Sequence, residues 1–448
     1  MAKKKQKLEM LQAPRGTFDV LPENFGYYEK FLKAAKKIAV YYGYRPIETP
    51  IFEDVNVFSR TLGKSSDIVE KQMYSFRTRG GDELVLRPEG TAPVIRSYIE
   101  NGMFNWPSPV KFFYNGPFFR HESPQRGRYR QFRQFGLEII GEKDPVYDAQ
   151  IIQILMNICR EIGLKDLYIQ INSVGCRYCR PSYRSALLSY YKNRKNKVCG
   201  DCRRRLKENP LRVLDCKEEK CAPTKANAPH IIDYLCEECK NHFKGTLDFL
   251  DALSLPYILN PHLMRGLDYY TKTVFEIFPE GEAVIARKAK ETAESELPEE
   301  SVKKTALGAG GRYDALLEMM GGKDAPAAGG ALGMERIVAL MKEKGVKPAA
   351  EPKVRVFMIQ LGELAKKKIL SLIEEFRKAD IFAAESLGRD SIKSQLKIAN
   401  KMECQYALII GQKEAIDKTV IVRDMTSGIQ ETVPMVKILE YMKKRLRK

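Results

Sequence analysis

Residues 116–141, GPFFRHESPQRGRYRQFRQFGLEIIG, constrain this chain more than any other stretch. Two apolar-rich runs, 111–119 and 132–140, flank a loop crowded with Arg, His, Glu, Gln and Gly. The pattern predicts a β-hairpin. Side chains alternate across a strand, so Gln134, Gly136 and Glu138 share one face while Phe135, Leu137 and Ile139 point the other way. The apolar face needs a core to cover it. The polar face suits the floor of a polar pocket, and the basic loop suits a nucleotide phosphate or an RNA end. The plainer alternative is an exposed hairpin with a solvated basic tip.

Four further segments bear on that choice. Residues 86–91 read LRPEGT, 265–270 read RGLDYY, 310–314 read GGRYD and 329–336 read GGALGMER. Together with the hairpin they resemble the histidyl-tRNA synthetases, a family of the class II aminoacyl-tRNA synthetases. The hairpin resembles motif 2 of that class and GGALGMERIV resembles motif 3. RGLDYY and GGRYD resemble the two histidine-specific signatures. The resemblance runs from about residue 13 to the C-terminus, interrupted by a cysteine-rich region and a charged insert.

What the resemblance implies is an α+β fold: a class II synthetase antiparallel sheet flanked by helices, with a Cys-rich insertion and a C-terminal α/β anticodon-binding domain. It also implies a histidine–tRNA ligase, with L-histidine, ATP, Mg2+ and histidine tRNA as reactants and partners. Helix 24–43 and the following segment with Pro50 resemble motif 1, which implies a homodimer. The alternative for that stretch is an ordinary helix–strand pair.

The implied reaction needs charge neutralised around a phosphoryl centre, a task suited to arginine, which is always charged and binds phosphate bidentately. The resemblance makes Arg265 and Arg120 the catalytic cations. ATP would meet Arg120, Glu122, Arg128 and Arg336. Histidine would be held by Glu89, Gly90, Thr91, Arg120, Gln134, Glu138, Arg265, Tyr269, Tyr270 and Tyr313, with Glu138 and Tyr270 on the imidazole nitrogens. The tRNA acceptor end would touch Gln125, Arg126 and Arg130. Ser123 stands where some relatives carry Arg, a departure from the family pattern. For any single arginine the alternative is a surface charge, and for Tyr269 and Tyr313 it is a core aromatic beside a glycine turn.

Eight of the ten cysteines fall between 176 and 239. Cys176/Cys179, Cys199/Cys202 and Cys236/Cys239 are C-x-x-C pairs, and Cys216/Cys221 has four intervening residues. In a reducing compartment this is a ligand supply for two tetrahedral zinc sites rather than a disulfide framework. Free structural thiols are the alternative, and spacing leaves the pairing of the four knuckles open. The segment offers few obvious core residues, so structural Zn2+ would do the crosslinking. No cysteine falls in the matched motifs, so adenylate formation is expected to survive loss of metal.

Lysine and arginine number 76 against 57 acids, a formal charge of +19. Such an excess attracts polyanions, tRNA among them. No run is long and apolar enough to span a bilayer, and the basic start MAKKKQK has no apolar signal core. The expectation is a cytoplasmic protein without a membrane partner.

The chain parses into a basic disordered tail (1–12), a first catalytic part (13–172), the Cys-rich insertion (173–256), a second catalytic part (257–342), a linker (343–352) and the anticodon-binding domain (353–448). Residues 281–304 form a charged, helix-prone insert, expected to be a solvated helix or a loop. Two rival readings remain. A catalytically silent paralogue, such as a regulatory subunit of ATP phosphoribosyltransferase, would typically lack the C-terminal domain and degrade the signatures. A zinc-dependent RNA-binding protein would account for charge and cysteines but not for Glu89, Glu138 and Arg265 in their contexts.

Overall fold

The computed structural model describes residues 10–63, 66–125, 127–279, 305–350, 352–389 and 391–446. The charged insert 281–304, Arg126 and the first nine residues of the predicted tail lie outside them. The chain divides at Ala349/Ala350 into two compact units.

The first unit is built on an eight-stranded sheet. Its strands are β1 (Arg45–Pro46), β5 (Val110–Phe119), β6 (Gln131–Ile140), β7 (Leu167–Ser173), β8 (Tyr257–Leu259), β9 (Thr271–Pro279), β10 (Gly308–Arg312) and β11 (Ala327–Gly333), in the order β1-β5-β6-β11-β10-β9-β7-β8. Three further strands, β2 (Phe52–Asp54), β3 (Tyr74–Arg77) and β4 (Glu83–Leu86), form a small separate sheet. The predicted antiparallel sheet is mixed at its two edges. β1 pairs with β5 and β8 pairs with β7 in parallel. Parallel neighbours require a long crossover connection, and the chain between β7 and β8 is the cysteine-bearing segment.

The predicted alternation of β6 sets the layers. Phe135, Leu137 and Ile139 are buried in one apolar cluster. Covering them are the helices Pro22–Tyr41, Val146–Glu161 and Met334–Glu343. The first of these opens with a proline at its first turn, where no backbone N–H is lost, and buries Tyr28, Phe31, Ala35 and Ala39 at three- and four-residue spacing. On the opposite face of the sheet, Phe112, Tyr114, Phe118 and Val274 belong to a second cluster with Tyr269, Tyr270 and Tyr313. The candidate site therefore sits on that second face.

The cysteine-bearing segment belongs to the first unit. It holds the helices Arg180–Lys192, Gly200–Glu208 and Glu237–Ala252. Contrary to the sequence expectation, it has a core: Tyr183, Leu187, Tyr191, Val213, Leu214 and Ile231 are buried together with five cysteines. Its apolar residues are spread thinly through a basic sequence, so no run announces them.

The second unit is a five-stranded sheet of β12 (Val356–Gln360), β13 (Ala383–Glu385), β14 (Tyr406–Ile410), β15 (Thr419–Asp424) and β16 (Gln430–Pro434), ordered β13-β12-β14-β15-β16. β13, β12 and β14 run parallel, and the rest antiparallel. Apolar clusters lie on both faces. The sequence pattern predicts strands over 354–360, 381–385, 406–411 and 418–424 and helices over 363–378, 389–402 and 434–446, and misses β16 and the short helix Gln412–Asp417. β16 reads QETVP and is exposed but for Val433, so it carries no hydrophobic signal.

Candidate active site

Glu138 lies on β6 opposite Gly329 of β11, with Tyr114 of β5 across from Gly136. Its side chain is fully buried. Thr91 Oγ1 and Tyr114 Oη donate to Glu138 Oε1 at 2.8 and 3.1 Å, and Tyr313 Oη donates to Oε2. Burial pushes its pKa to about 8, with Glu89 adding to the rise and the three hydroxyl donors opposing it. The glycines of the motifs make this room. A Cβ at Gly329 would lie 1.8 Å from Glu138 Oε2, and one at Gly136 would lie 2.2 Å from the Tyr114 ring.

Glu89 stands at the N-terminus of the helix Thr91–Glu100. It accepts from the Thr91 and Ala92 backbone N–H groups at 2.7 and 2.9 Å and from Tyr269 Oη at 3.3 Å. Burial raises its pKa against those hydrogen bonds. A second carboxylate is thus held close to Glu138, fixed by the helix end.

The four arginines gather around one cleft of about 510 Å³, lined also by Glu89, Gly90, Thr91, Gln134, Tyr269 and Tyr270. Arg120 stacks on Phe132 at 5.3 Å and donates to the Pro88 carbonyl at 2.9 Å. Glu122 lies 4.0 Å from Arg120 and 3.6 Å from Arg128. Arg336, in the first turn of Met334–Glu343, is fixed by the carbonyls of Gly127 and Ala306 at 2.9 and 2.7 Å. Burial first, then the charges of Arg128 and Arg120, lower its pKa to about 10, against the opposing pull of Glu122 and Glu276. Three cations that oppose one another's charge, with one carboxylate among them, make a site suited to a polyanion. Arg265 pairs with Glu276 of β9 and lies 5.7 Å from the Tyr270 ring centre. Among the described residues its buried Nε has no hydrogen-bond partner, a donor that a ligand could take.

Of the predicted residues, Glu138 and Tyr313 are enclosed behind the cleft, joined to its wall through Thr91. Gln125 lines a smaller hollow of about 390 Å³ with His121, Ser123 and Arg128. Arg130 is turned back on the chain, its guanidinium 3.4 Å from the carbonyls of Glu122 and Arg15. Arg126 lies outside the described residues.

Sequence reasoning missed several participants. Tyr114 was legible as a β5 residue but not as a donor to β6. Arg87 of LRPEGT is buried against Phe118, with Nη1 on the Thr49 carbonyl at 2.8 Å. Arg312 of GGRYD is fully buried on Asp148, which also meets His242 Nε2 at 2.7 Å. Burial opposes the Asp148 charge, yet Arg312 and His242 hold its pKa at about 2. No local motif marks a triad drawn from three distant segments.

The eight thiols form two sets: Cys176, Cys179, Cys236 and Cys239, and Cys199, Cys202, Cys216 and Cys221. Within each, all Sγ atoms lie within 4.8 Å of one another. Contacts of 3.7 and 3.9 Å in the first set and 3.8 and 3.9 Å in the second are resolved. A tetrahedron with zinc–sulfur bonds of ~2.3 Å has S···S edges of about 3.8 Å. The outer knuckles therefore pair with each other and the inner two likewise, the question spacing left open.

A broad sheet whose motif 2 hairpin supplies arginines, and whose glycine-rich strand runs into an arginine-bearing helix, is the catalytic architecture of a class II aminoacyl-tRNA synthetase. The chain belongs to the histidyl-tRNA synthetase family. The family model described as histidyl-tRNA synthetase matches residues 16–177, and the anticodon binding domain model matches 353–445. The histidine–tRNA ligase of Dehalococcoides mccartyi is 42% identical over 98% of this chain and 100% of that protein. That of Natranaerobius thermophilus is 40% identical over 97% of this chain and 99% of that protein. The apo histidyl-tRNA synthetase of S. aureus superposes with a TM-score of 0.75 at 34% identity, covering 96% of this chain and 99% of that one.

Proposed function

We propose that the chain is a histidine–tRNA ligase that activates L-histidine with ATP to histidyl-adenylate and transfers the histidyl group to the 3′ end of histidine tRNA. The observation that carries this is the meeting of Arg120, Arg128, Arg336 and Arg265 with Glu89 in one cleft.

In the first step a carboxylate oxygen of histidine attacks the α-phosphorus of ATP. The bond to the pyrophosphate oxygen breaks, and pyrophosphate leaves with the electron pair. Arg128 and Arg336 would hold the outgoing phosphates. Arg265 and Arg120 would meet the charge that grows at the α-phosphate, where preorganised cations act most strongly. The Arg265 Nε, unpartnered among the described residues, supports that role. Glu122, the carboxylate beside the phosphate arginines, would meet the adenine amine or the metal side of ATP, where Mg2+ when bound would offset phosphate charge. In the second step a ribose hydroxyl of the tRNA end attacks the histidyl carbonyl carbon and AMP leaves.

Glu89 and Gln134 suit the α-ammonium, and Tyr270 together with the Glu138–Thr91 pair suits the imidazole. A pocket built on such buried polar groups rejects side chains without ring nitrogens, because its groups would go unpaired. The C-terminal unit, matched to an anticodon binding domain, and the charge of +19 support tRNA as the partner. Two zinc ions, one in each four-thiol set, would crosslink the insertion, supported by the tetrahedral sulfur spacing. Eight thiols grouped at metal-site rather than disulfide spacing support a cytoplasmic enzyme. Exposed Val40, Tyr41, Ile51 and Phe52 around the motif 1 region support a homodimer through that face. Among the described residues no helix is long and apolar enough to cross a membrane.

The test is ATP–pyrophosphate exchange with each amino acid in turn, followed by aminoacylation of histidine tRNA. Absence of both from folded enzyme contradicts the reading.

A further inference from the structure

The cysteine-bearing segment forms a wall of the cleft, where Arg205, Arg212, Asp215 and Lys217 stand beside Arg265 and Tyr270. It grips the 265–270 loop at two points. Arg180 opens the helix Arg180–Lys192, whose cap is Cys179 of the first thiol set. Its guanidinium donates to the Tyr270 carbonyl, and its Nε donates to the Val174 carbonyl at 3.4 Å. Arg212 lies in the 3-10 turn Pro210–Asp215, which ends on Cys216 of the second set. The nearly buried Arg212 donates to Asp268 Oδ1 from Nε and Nη2, at 3.0 and 2.8 Å. Asn209 adds a third donor at 3.3 Å. From the other side Gly63 closes on the same carboxylate, leaving 2.0 Å between Asp268 Oδ2 and any Cβ placed there.

The loop needs such support. Residues 264–270 form bends and turns with no strand ladder of their own, and irregular backbone is held in one conformation only by partners outside it. The grip falls on the Tyr270 carbonyl and on Asp268, next to Tyr269, and the Tyr270 ring lies 5.7 Å from Arg265; these three are the groups that the ligase reading assigns to histidine and the α-phosphate.

We propose that the cysteine segment is a two-point clamp on the 265–270 loop, with Arg180 and Arg212 as positioning residues for histidine activation and a thiol set anchoring each arginine. The clamp rests on the ligase reading. It joins two regions that share no sequence motif, and it gives the insertion a part in the first chemical step.

The test uses the full-length enzyme. Arg212→Gln, Arg212→Lys, Asp268→Asn and the double variant Arg212→Gln/Asp268→Asn are compared with wild type. The readouts are single-turnover adenylate formation, KM for L-histidine and for ATP, and melting temperature. The clamp predicts that Arg212→Gln slows adenylation by about tenfold to a hundredfold and raises the histidine KM while the ATP KM holds. Arg212→Lys should recover part of the loss. The double variant should be no worse than Arg212→Gln, because the two residues act as one pair. Wild-type rate and histidine KM in Arg212→Gln would overturn the clamp, as would equal losses toward both substrates or multiplicative losses in the double variant. Should Arg212→Gln fail to fold, Arg212→Lys and Asp268→Asn carry the same comparison, with unchanged histidine KM in both as the contrary result. Wild-type enzyme inactive with L-histidine removes the ligase reading and the clamp with it; active wild type with indifferent variants removes the clamp alone.

Discussion

The Thr91 hydroxyl donates to Glu138 Oε1 across 2.8 Å, linking the first turn of a helix to the middle of the sheet. Thr91 lines the cleft and Glu138 does not. A carboxyl buried this deeply is therefore one side chain away from the ligand space. Its pKa of about 8 lies far above that of an exposed glutamate, ~4.3.

That shift has a sign. The folded state binds the Glu138 proton more tightly than the unfolded chain, so the contribution to stability is complete below the unfolded value. It is lost as pH rises from about 4 toward 8, at up to about 1.4 kcal/mol per pH unit. Glu138→Gln should flatten this fall, as seen by denaturant unfolding across that range. The same variant should weaken L-histidine binding and leave ATP binding nearly unchanged. Calorimetry showing ATP affinity lost and histidine affinity kept would reverse the assignment.

Arg265→Ala should slow adenylate formation by about a hundredfold or more while ATP binding falls far less. In the role proposed for it, the guanidinium matters most as charge shifts to the α-phosphate. Rapid-quench adenylation at the wild-type rate would take Arg265 out of the chemistry.

Gly329→Ala should damage the site through packing. Its Cβ would meet Glu138 Oε2 at 1.8 Å and the Tyr313 hydroxyl at 2.6 Å. Overpacking of this kind costs about 1–3 kcal/mol. Gly200→Ala, at the start of a helix with nothing within 4 Å, should be neutral or slightly stabilising. A common response of the two in thermal melts would contradict this account of the motif 3 glycines.

The hairpin and the period-2 faces of β6 were legible because each is local: a spacing of two and a basic loop; the four arginines stood out only through the motifs that carry the family resemblance. Tyr114 and the Arg312–Asp148–His242 triad were not, since their chemistry comes from contacts between segments tens to hundreds of residues apart. β16 was missed because a polar edge strand needs no apolar face. The cysteine pairing was open for the same reason as the triad. Four knuckles at similar spacing permit several pairings, and the fold brings Cys176 to Cys236 and Cys199 to Cys216.

The fold also changes an expectation about metal. Sequence motifs alone led to adenylation surviving chelation. The second thiol set instead ends the turn that carries Arg212, and Cys199 and Cys216 line the cleft itself. Stripping zinc should therefore lower pyrophosphate exchange as well as aminoacylation. Elemental analysis of anaerobically purified protein should find up to two zinc ions per chain. Metal-free protein with full exchange activity would contradict both statements.

Activation of histidine in one cleft is directly measurable. The direct measurement is ATP–pyrophosphate exchange by the purified full-length chain with Mg2+ and no tRNA, run separately with all common amino acids. Exchange should be rapid with L-histidine and at background with the rest. Background exchange with L-histidine in folded protein, tRNA present or absent, or faster exchange with another amino acid, would contradict it.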